Sequence, residues 1–227
     1  MTNSDITPRP PKLLAVSMRS TSEATYREER DAVARDWFAF LKAALPGVLP
    51  LLLPNDAFYA AQLCDQPGVI GLLLTGGNDV GSCQERDDAE ESSFRAIRSN
   101  GLPVLGICRG LQFLVHLHGG SLSACDAGLH RATRHRVDIV PPWQPASREV
   151  NSYHTIKAEL APDRELVPTA TAPDGSLEAL QHRTDPVYGI HWHPERETEP
   201  DPEDIALFRR IFLAGTSRSS GHALRQE

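Results

Sequence analysis

A cysteine stands between two glycines directly after an apolar run, in a segment with the sequence PVLGICRGLQ. Cys108 therefore falls where a buried strand should end and a helix begin, with Gly106 and Gly110 two residues to either side. The spacing follows the logic of a nucleophile elbow, a turn so tight that a Cβ at either flanking position would clash. A thiol at a helix start is more readily a nucleophilic thiolate, because free N–H groups favour an anion. The alternative is a small buried residue, since free cysteine is often buried.

A histidine and a glutamate two residues apart provide a candidate base near the other end of the chain. The segment Tyr188–Glu195 has the sequence YGIHWHPE, and we expect it to leave an apolar strand in extended form. Residues two apart on an extended segment share a face, so Glu195 could accept the second N–H of His193 and orient the ring. Cys108, His193 and Glu195 would then form a catalytic triad. The alternative is a structural role for His193, since the chain has nine histidines.

These two motifs, with several shorter ones, resemble the class I glutamine amidotransferase superfamily. The similarity is closer to its free-standing branch, the γ-glutamyl-γ-aminobutyrate hydrolase-like proteins, and extends roughly from Leu13 to Phe212. Further matching segments are Leu74–Asp79, Gly119–Leu122, His130–Arg131, Val150–His154 and Asp174–Glu178. The resemblance implies a flavodoxin-like α/β fold, with a mostly parallel central sheet flanked by helices and added antiparallel strands in the second half.

The resemblance also implies a reaction and a role for individual residues. Cys108 would attack the γ-carboxamide carbonyl of a glutamine-like substrate and form a γ-glutamyl thioester. His193 would take the thiol proton and return it to the leaving amine, with Glu195 orienting it.

Further residues are implied to surround the reacting carbonyl. The backbone N–H groups of Gly77 and Arg109 would form the oxyanion hole. Substrate binding is implied for Gln112, His154 and Thr155. No cofactor is implied, and a small-molecule γ-glutamyl compound is the expected substrate.

Two positions depart from the family pattern near the expected pocket. Residue 191 is histidine where the family usually has glutamine, and Thr155 stands where the closest members often have a second histidine. Three segments (Ala15–Arg19, Glu28–Asp31 and Leu53–Asn55) look like members found beside sugar-biosynthesis enzymes. This part of the resemblance favours ammonia donation over γ-glutamyl breakdown.

Four hypotheses of function therefore stand at this point. The first is a cytoplasmic hydrolase of glutamine or γ-glutamyl amines, and the second is a glutaminase subunit that supplies ammonia to a synthetase or sugar-biosynthesis enzyme. The third is a binding module without turnover. The fourth is a metal-dependent hydrolase, suggested by pairs of nearby histidines such as His116 with His118 and His130 with His135. We expect no metal site, because the first pair should be helical, where residues two apart do not share a face, and the second should lie in a loop.

Apolar runs alternate with amphipathic ones and predict a parallel sheet covered on both faces. The predicted strands of the first half are Leu13–Ser17, Val48–Leu53, Val69–Leu74 and Pro103–Ile107, and the helices are Ala24–Ala44, Glu85–Ser99 and Gly110–His118. The second half predicts strands Arg136–Val140, Glu165–Thr171, Leu177–His182 and Val187–Trp192, then a helix Pro202–Leu213. The charge runs Glu28–Asp31 and Asp87–Glu91 are expected on solvated helix faces. We predict one catalytic domain, residues 13–215, between flexible ends at 1–12 and 216–227.

Composition excludes several classes of protein. Lys and Arg number 23 against 30 Asp and Glu, a net charge of −7 without a basic cluster, which argues against nucleic-acid binding. No apolar stretch has the roughly 20 residues that a membrane-spanning helix needs. Four scattered cysteines fit reduced thiols rather than a disulfide framework or CxxC zinc site. The expected partners are a small molecule, with a synthetase or a second copy of the chain as further options.

Overall fold

The computed structural model describes residues 10–140, 146–162 and 165–214. Residues 1–9 and 215–227, which include most of the two ends predicted to be flexible, lie outside this range. The strands are β1 (Lys12–Ser17), β2 (Arg19–Ser22), β3 (Glu29–Ala32), β4 (Val48–Leu53), β5 (Val69–Leu74), β6 (Val104–Ile107), β7 (Ser121–Ala124), β8 (Arg131–Ile139), β9 (Ser147–Tyr153), β10 (Ile156–Glu159), β11 (Leu166–Thr171), β12 (Leu177–His182) and β13 (Val187–Ile190). The helices are α1 (Asp36–Ala44), α2 (Ala57–Cys64), α3 (Gln84–Ser99), α4 (Arg109–Leu117), α5 (Ala127–His130) and α6 (Pro202–Leu213), and a 3-10 turn covers Pro194–Arg196.

Within the described ranges, nine strands form one mixed sheet in the order β4-β1-β5-β6-β13-β12-β11-β8-β9. Each pair from β4 to β13 is parallel, and each pair from β13 to β9 is antiparallel. The predicted α/β class, with a parallel core and antiparallel strands added by the second half of the chain, is confirmed. None of the helices in the described ranges is long and apolar enough to cross a bilayer.

The inner parallel strands β1, β5 and β6 bury both of their faces over most of their length. On β1, Leu14 and Val16 pack in one apolar cluster with residues of α1 and α6, whereas Ala15 packs in the other with residues of α2 and α3. Covered parallel strands need apolar residues at successive positions. This explains why β1 and β5 were recognisable as continuous apolar runs.

Three neighbouring strands end together at the centre of the sheet. Leu74 of β5 lies opposite Gly106 of β6, and Ile107 of β6 lies opposite Ile190 of β13. The chain that follows these strands supplies the glycine pair after Leu74, the cysteine after Ile107 and the histidines after Ile190. Open parallel sheets bind ligands at this edge, because the loops beyond the carboxyl ends converge there.

The helix predicted for Ala24–Ala44 is wrong in its first half. Within the predicted span, Glu29–Ala32 form strand β3, which pairs antiparallel with the preceding β2, and the helix is limited to α1. Trp37, Phe40 and Leu41 of α1 are buried, but no residue of β2 or β3 is. A helix without an apolar face to bury has little to stabilise it, since most helical stability comes from packing. A hydrogen bond from the backbone N–H of Ser20 to Asn78 Oδ1, at 2.9 Å, attaches the strand pair to the site edge.

Several short elements were not predicted. Helix α2 starts at an Asp56 cap, whose side chain accepts the Tyr59 N–H at 2.9 Å. Strand β9, SREVNSY, is polar and follows the segment 141–145. Among the described residues, β7 and β10 pair only with each other. Short polar strands lack the alternating apolar pattern, so partners distant in sequence decide whether they form.

Candidate active site

Cys108 occupies a strained turn between β6 and α4. Its φ is +51°, a value that residues other than glycine seldom adopt. A Cβ on Gly106 would lie 2.5 Å from the carbonyl oxygen of Gly110, and a Cβ on Gly110 would lie 2.4 Å from that of Leu74. Both glycines are therefore required for the turn, and the side chain of Cys108 sits at the first turn of a helix.

His193 is paired with Glu195 and lies next to Cys108. Its Nδ1 donates to Glu195 Oε1 at 2.7 Å, and both side chains are buried. Burial alone lowers the pKa of His193, but the Cys108 and Glu195 side chains outweigh it and raise that pKa to about 9. A Cβ on Gly76 would lie 2.8 Å from Cε1 of His193 and 3.8 Å from Cβ of Cys108, so the three residues meet in one small space.

The predicted extended course of the segment after β13 is wrong beyond His193. Residues Pro194–Arg196 form a 3-10 turn, with His193 as its extended cap. The turn brings Glu195 back towards the imidazole, so the expected pairing arises from a different backbone path. Proline at the first position of such a turn is favourable, because its missing N–H would have no partner there.

Asn151 of β9 holds the backbone of His193 from both sides. Its Oδ1 accepts the N–H of His193 at 2.8 Å, and its Nδ2 donates to the carbonyl oxygen of His193 at 2.8 Å. The same Nδ2 lies 2.8 Å from Glu197 Oε1. Asn151 was not assigned a role from the sequence, although it lies within the matching segment Val150–His154. The hydrogen bonds that clamp the His193 backbone join residues 42 positions apart in the chain, so only the structure reveals them.

The loop after β5 carries Gly77, for which the oxyanion role was predicted. Gly77 has a φ of +105°, which favours glycine, and its ideal Cβ would lie 3.1 Å from Cβ of Arg19. Arg86 supports the loop from beneath, since its Nη2 donates to the carbonyl oxygen of Thr75 at 2.7 Å and its Nη1 to Asn78 Oδ1 at 3.2 Å.

Arg109, the second predicted oxyanion residue, is the first residue of α4, and its side chain belongs to a buried ionic network. Its guanidinium pairs with Asp87 and Glu90, and its Nε donates to the carbonyl oxygen of Asn78 at 3.2 Å. Arg86 pairs with Glu90 at 3.0 Å. Burial lowers the pKa of Arg86 to about 10 and that of Arg109 to about 9, so both remain charged at neutral pH.

The prediction that both charge runs lie on solvated helix faces is wrong in two ways. Glu90 is 1% exposed, because it balances two arginines beneath the site loop. The run Glu28–Asp31 is solvated but belongs largely to strand β3 rather than to a helix. An unpaired buried charge is costly. Glu90 can be buried because it has an arginine partner on its own helix and another on the next helix.

The side chains of Gln112 and His154 approach the same backbone carbonyl oxygen, whereas that of Thr155 does not. Gln112 is buried and its Nε2 donates to the carbonyl oxygen of Ile156 at 3.0 Å; Nδ1 of His154 approaches the same oxygen at 3.1 Å. Thr155 lies exposed in the turn between β9 and β10.

His191 explains how Gln112 is held. Its Nδ1 lies 3.0 Å from the carbonyl oxygen of Leu177 and its Nε2 lies 3.1 Å from Nε2 of Gln112. Complete burial lowers the pKa of His191 to about 3, so the ring is neutral. Nδ1 therefore carries the proton and Nε2 accepts from the Gln112 amide. The ring also stacks on His154, with centroids 3.7 Å apart.

Most of the chain is similar in sequence to known amide-cleaving proteins. Residues 13–195 match the Peptidase C26 family. The γ-glutamyl-CDP-amidate hydrolase of Campylobacter jejuni is 27% identical over 197 residues, which cover 81% of this chain and 90% of that protein. A glutamine-hydrolysing GMP synthase subunit from Methanococcoides burtonii is 33% identical over 149 residues, 63% of this chain and 71% of that one.

The solved structures show the same fold. A GMP synthase subunit protein from Thermoplasma acidophilum superposes with a TM-score of 0.65 at 23% identity, covering 88% of this chain and 94% of that one. A glutamine amidotransferase from Thermotoga maritima superposes with a TM-score of 0.59 at 16% identity, covering 88% of this chain and 83% of that one. The chain is a member of the Peptidase C26 family within the class I glutamine amidotransferases, and it is a hydrolase of C–N amide bonds.

Proposed function

We propose that the enzyme hydrolyses the γ-amide of glutamine or of a γ-glutamyl amine through a γ-glutamyl thioester on Cys108. The observation that carries this proposal is the convergence of the strained Cys108 with the buried His193–Glu195 pair at 2.7 Å. A nucleophile, a base and a group that orients the base are the parts that acyl transfer requires. Residues 13–215 are proposed to form the single catalytic domain.

The first half of the reaction breaks the amide bond. The thiol proton of Cys108 first passes to Nε2 of His193, which is protonated at neutral pH because its pKa is about 9, and the sulfur then attacks the γ-carbonyl carbon. The N–H groups of Gly77 and Arg109 stabilise the resulting oxyanion, a contribution of about 3 kcal/mol for each donor. The imidazolium then gives its proton to the departing nitrogen, so that the C–N bond breaks, the amine leaves neutral and the acyl group stays on sulfur.

The second half regenerates the thiol. Water enters where the amine left, and His193 takes its proton as the oxygen attacks the thioester carbon. The C–S bond breaks, free γ-carboxylate is released, and the proton returns to Cys108. Glu195 holds Nδ1–H throughout, which keeps Nε2 as the nitrogen that faces the reaction.

The substrate is proposed to bind its amino-acid head near Gln112. This amide is fixed by Ile156 and His191 rather than by solvent, so it would meet the substrate in one orientation. His154 is proposed to line the same region, whereas Thr155 is exposed in the turn beyond it and is proposed to contact only a part of the substrate near the surface. Similarity to the C. jejuni γ-glutamyl-CDP-amidate hydrolase supports a γ-glutamyl compound with a leaving group larger than ammonia.

The second candidate is a glutaminase that donates ammonia to a synthetase. Similarity to the GMP synthase subunits supports it. Its reaction at Cys108 is the same as that of the hydrolase, and the difference lies only in whether a partner protein receives the ammonia.

The deciding experiment measures glutamate released from glutamine and from a panel of γ-glutamyl amines. A glutamine-analogue alkylator is added in parallel, and the modified cysteine is mapped by mass spectrometry in wild type and in Cys108→Ala. Cys83→Ala serves as the control, because Cys83 is a partly exposed thiol that is not part of the proposed triad. Release that stops on labelling of Cys108 supports the proposal, and undiminished turnover in Cys108→Ala would refute it.

The amine panel separates the two candidates. Turnover of γ-glutamyl amines without added protein supports the free-standing hydrolase. Labelling of Cys108 together with negligible turnover of every substrate favours a glutaminase whose site becomes active with a partner.

A further inference from the structure

A second group of titratable side chains surrounds the carboxylate of Glu178 on β12. His130 at the end of α5, His135 on β8 and His154 after β9 each direct a ring nitrogen at its Oε1. The distances are 3.6 Å from Nδ1 of His130, 3.4 Å from Nε2 of His135 and 3.5 Å from Nε2 of His154. The side chains of Glu178, His130 and His154 are at most 1% exposed, and that of His135 is 13% exposed.

The outer nitrogens of two of these rings already have acceptors. Nε2 of His130 lies 2.8 Å from Asp174 Oδ2, and Nδ1 of His154 lies 3.1 Å from the carbonyl oxygen of Ile156. Carboxylate and carbonyl oxygens only accept, so in each neutral ring the outer nitrogen carries the proton. The inner nitrogens then turn lone pairs towards a carboxylate, which is an unfavourable contact away from water.

The inner atoms make no hydrogen bond within the part of the chain that the structure describes. They are Nδ1 of His130, Nε2 of His135, Nε2 of His154 and both carboxylate oxygens of Glu178. Separations of 3.4–3.6 Å are longer than the roughly 2.7–2.9 Å of a charge-assisted N–H···O bond. Protonating the rings would therefore not by itself account for the spacing.

A bound metal ion does account for these separations. Zinc binds imidazole nitrogen and carboxylate oxygen at roughly 2.0–2.2 Å, which places two ligands of a tetrahedral ion about 3.4 Å apart. The three measured separations from Glu178 Oε1 agree with this edge length. His130, His154 and Glu178 also offer ligand atoms that lie within 4.8 Å of one another.

We propose that His130, His154 and Glu178 bind a divalent transition-metal ion, for which zinc is the best match. Imidazole suits zinc more than it suits calcium or magnesium. The contact from His130 to Asp174 is the carboxylate–histidine arrangement that commonly orients a metal ligand. The expectation of no metal site came from placing His130 and His135 in a loop, but both flank the buried Glu178, His130 at the end of α5 and His135 on β8.

The ion has a structural role, because its three ligand side chains are at most 1% exposed and none of them belongs to the proposed catalytic triad. It links α5, β12 and the turn after β9. Its ligand His154 stacks on His191, and Ile156 two residues later accepts from Gln112. The proposed metal site therefore stabilises the backbone that orients Gln112, without touching Cys108 or His193.

The test measures zinc binding directly and needs no substrate. Untagged protein is stripped with a chelator and titrated with Zn²⁺ against a chromophoric competitor. We expect one equivalent with a Kd below about 100 nM. Glu178→Gln, which keeps the side-chain size, and His154→Ala should each weaken binding at least 100-fold.

Three further variants guard against a result that reflects folding alone. Asp174→Asn changes a side chain that is one-third exposed and should weaken binding about 10- to 100-fold without disturbing the core. His182→Ala, in a different histidine cluster, and Cys108→Ala should bind Zn²⁺ like wild type. The proposal is overturned if wild type fails to compete for Zn²⁺ at micromolar concentration, or if His182→Ala abolishes binding while Glu178→Gln retains it.

Discussion

Two buried histidine–glutamate groups contain the same residue types in different hydrogen-bond arrangements. In the proposed active site, Nδ1 of His193 lies 2.7 Å from Glu195, so a proton occupies the space between them. Around Glu178 the corresponding distances are 3.4–3.6 Å, and the ring protons of His130 and His154 point away to Asp174 and Ile156. The position of the second acceptor thus decides whether an imidazole faces its glutamate with a proton or with a lone pair.

A third cluster shows that residue types and proximity alone do not make a metal site. His118, Glu165 and His182 also lie within 4.8 Å of one another by their ligand atoms. Nδ1 of His182, however, accepts the backbone N–H groups of Thr184 and Asp185 at 3.2 and 2.9 Å. Its proton is therefore on Nε2, the nitrogen nearest Glu165, which cannot bind a metal while it is protonated.

The largest expected effect is a loss of turnover that leaves zinc binding unchanged. His193→Asn removes the proposed base, and kcat should fall about 10⁴-fold, while Zn²⁺ binding at Glu178 stays unchanged. Single-turnover kinetics and zinc content provide the two measurements. The matched control is His116→Asn, an exposed histidine in neither group. A two-fold loss of kcat would contradict the assignment of His193.

Zinc binding should change the free energy of unfolding rather than the rate of the reaction. At about 1,000 times its Kd, Zn²⁺ should raise the free energy of unfolding by about 4 kcal/mol, and Tm by about 10 °C. Thermal unfolding of stripped and reloaded protein measures this shift. Glu178→Gln should show almost none of it, and an equal shift in that variant would place the ion elsewhere.

A single methyl group should disturb only the proposed catalytic pair. In Gly76→Ala the added Cβ would lie 2.8 Å from Cε1 of His193, so the ring must move. A displacement of this size costs about 100-fold in turnover, whereas Zn²⁺ binding should not change. Gly128→Ala, near an exposed helix start, is the control, and turnover in Gly76→Ala equal to that of the control would argue against the close approach of the ring to Gly76.

The clamp on His193 should have a smaller effect. Asn151→Ala removes two hydrogen bonds to the backbone of His193, and we expect a loss of about 2 kcal/mol in stability with kcat about 10-fold lower and KM nearly constant. Asn100→Ala, which removes an exposed side-chain bond to Asp65, is the comparison. Equal losses of kcat in both variants would reduce Asn151 to a structural residue.

The mildest test is the pH dependence of stability. The pKa of His193 rises from its ordinary 6.5 to about 9 on folding. Its stabilising contribution is therefore complete below pH 6.5 and is lost as pH rises through 9. The difference in unfolding free energy between wild type and His193→Asn should shrink over this interval. A difference that instead grows with pH would show that the folded pKa is lowered.

Local patterns predicted the elements that carry the site better than the elements around it. Strands β1, β4, β5 and β6, and helices α3, α4 and α6, were recognisable from their apolar periods within a residue or two. Strand β3 was mistaken for part of a helix, because its charged residues have no apolar pattern that could distinguish a strand from a helix. The buried position of Glu90 was equally hidden, since it depends on Arg86 and Arg109, which lie on two different helices.

The sequence by itself determined the elbow at Cys108, because the clash that requires Gly106 involves Gly110, which lies in the same turn. It also placed His193 and Glu195 close enough to pair, although by a different backbone path. Only the tertiary structure decided the Asn151 clamp, the support of the Gly77 loop by Arg86 and the grouping of three histidines around Glu178. Hydrogen-bond direction decides what each of these groups can do, and the acceptors that set it are backbone and side-chain oxygens brought in from distant parts of the chain.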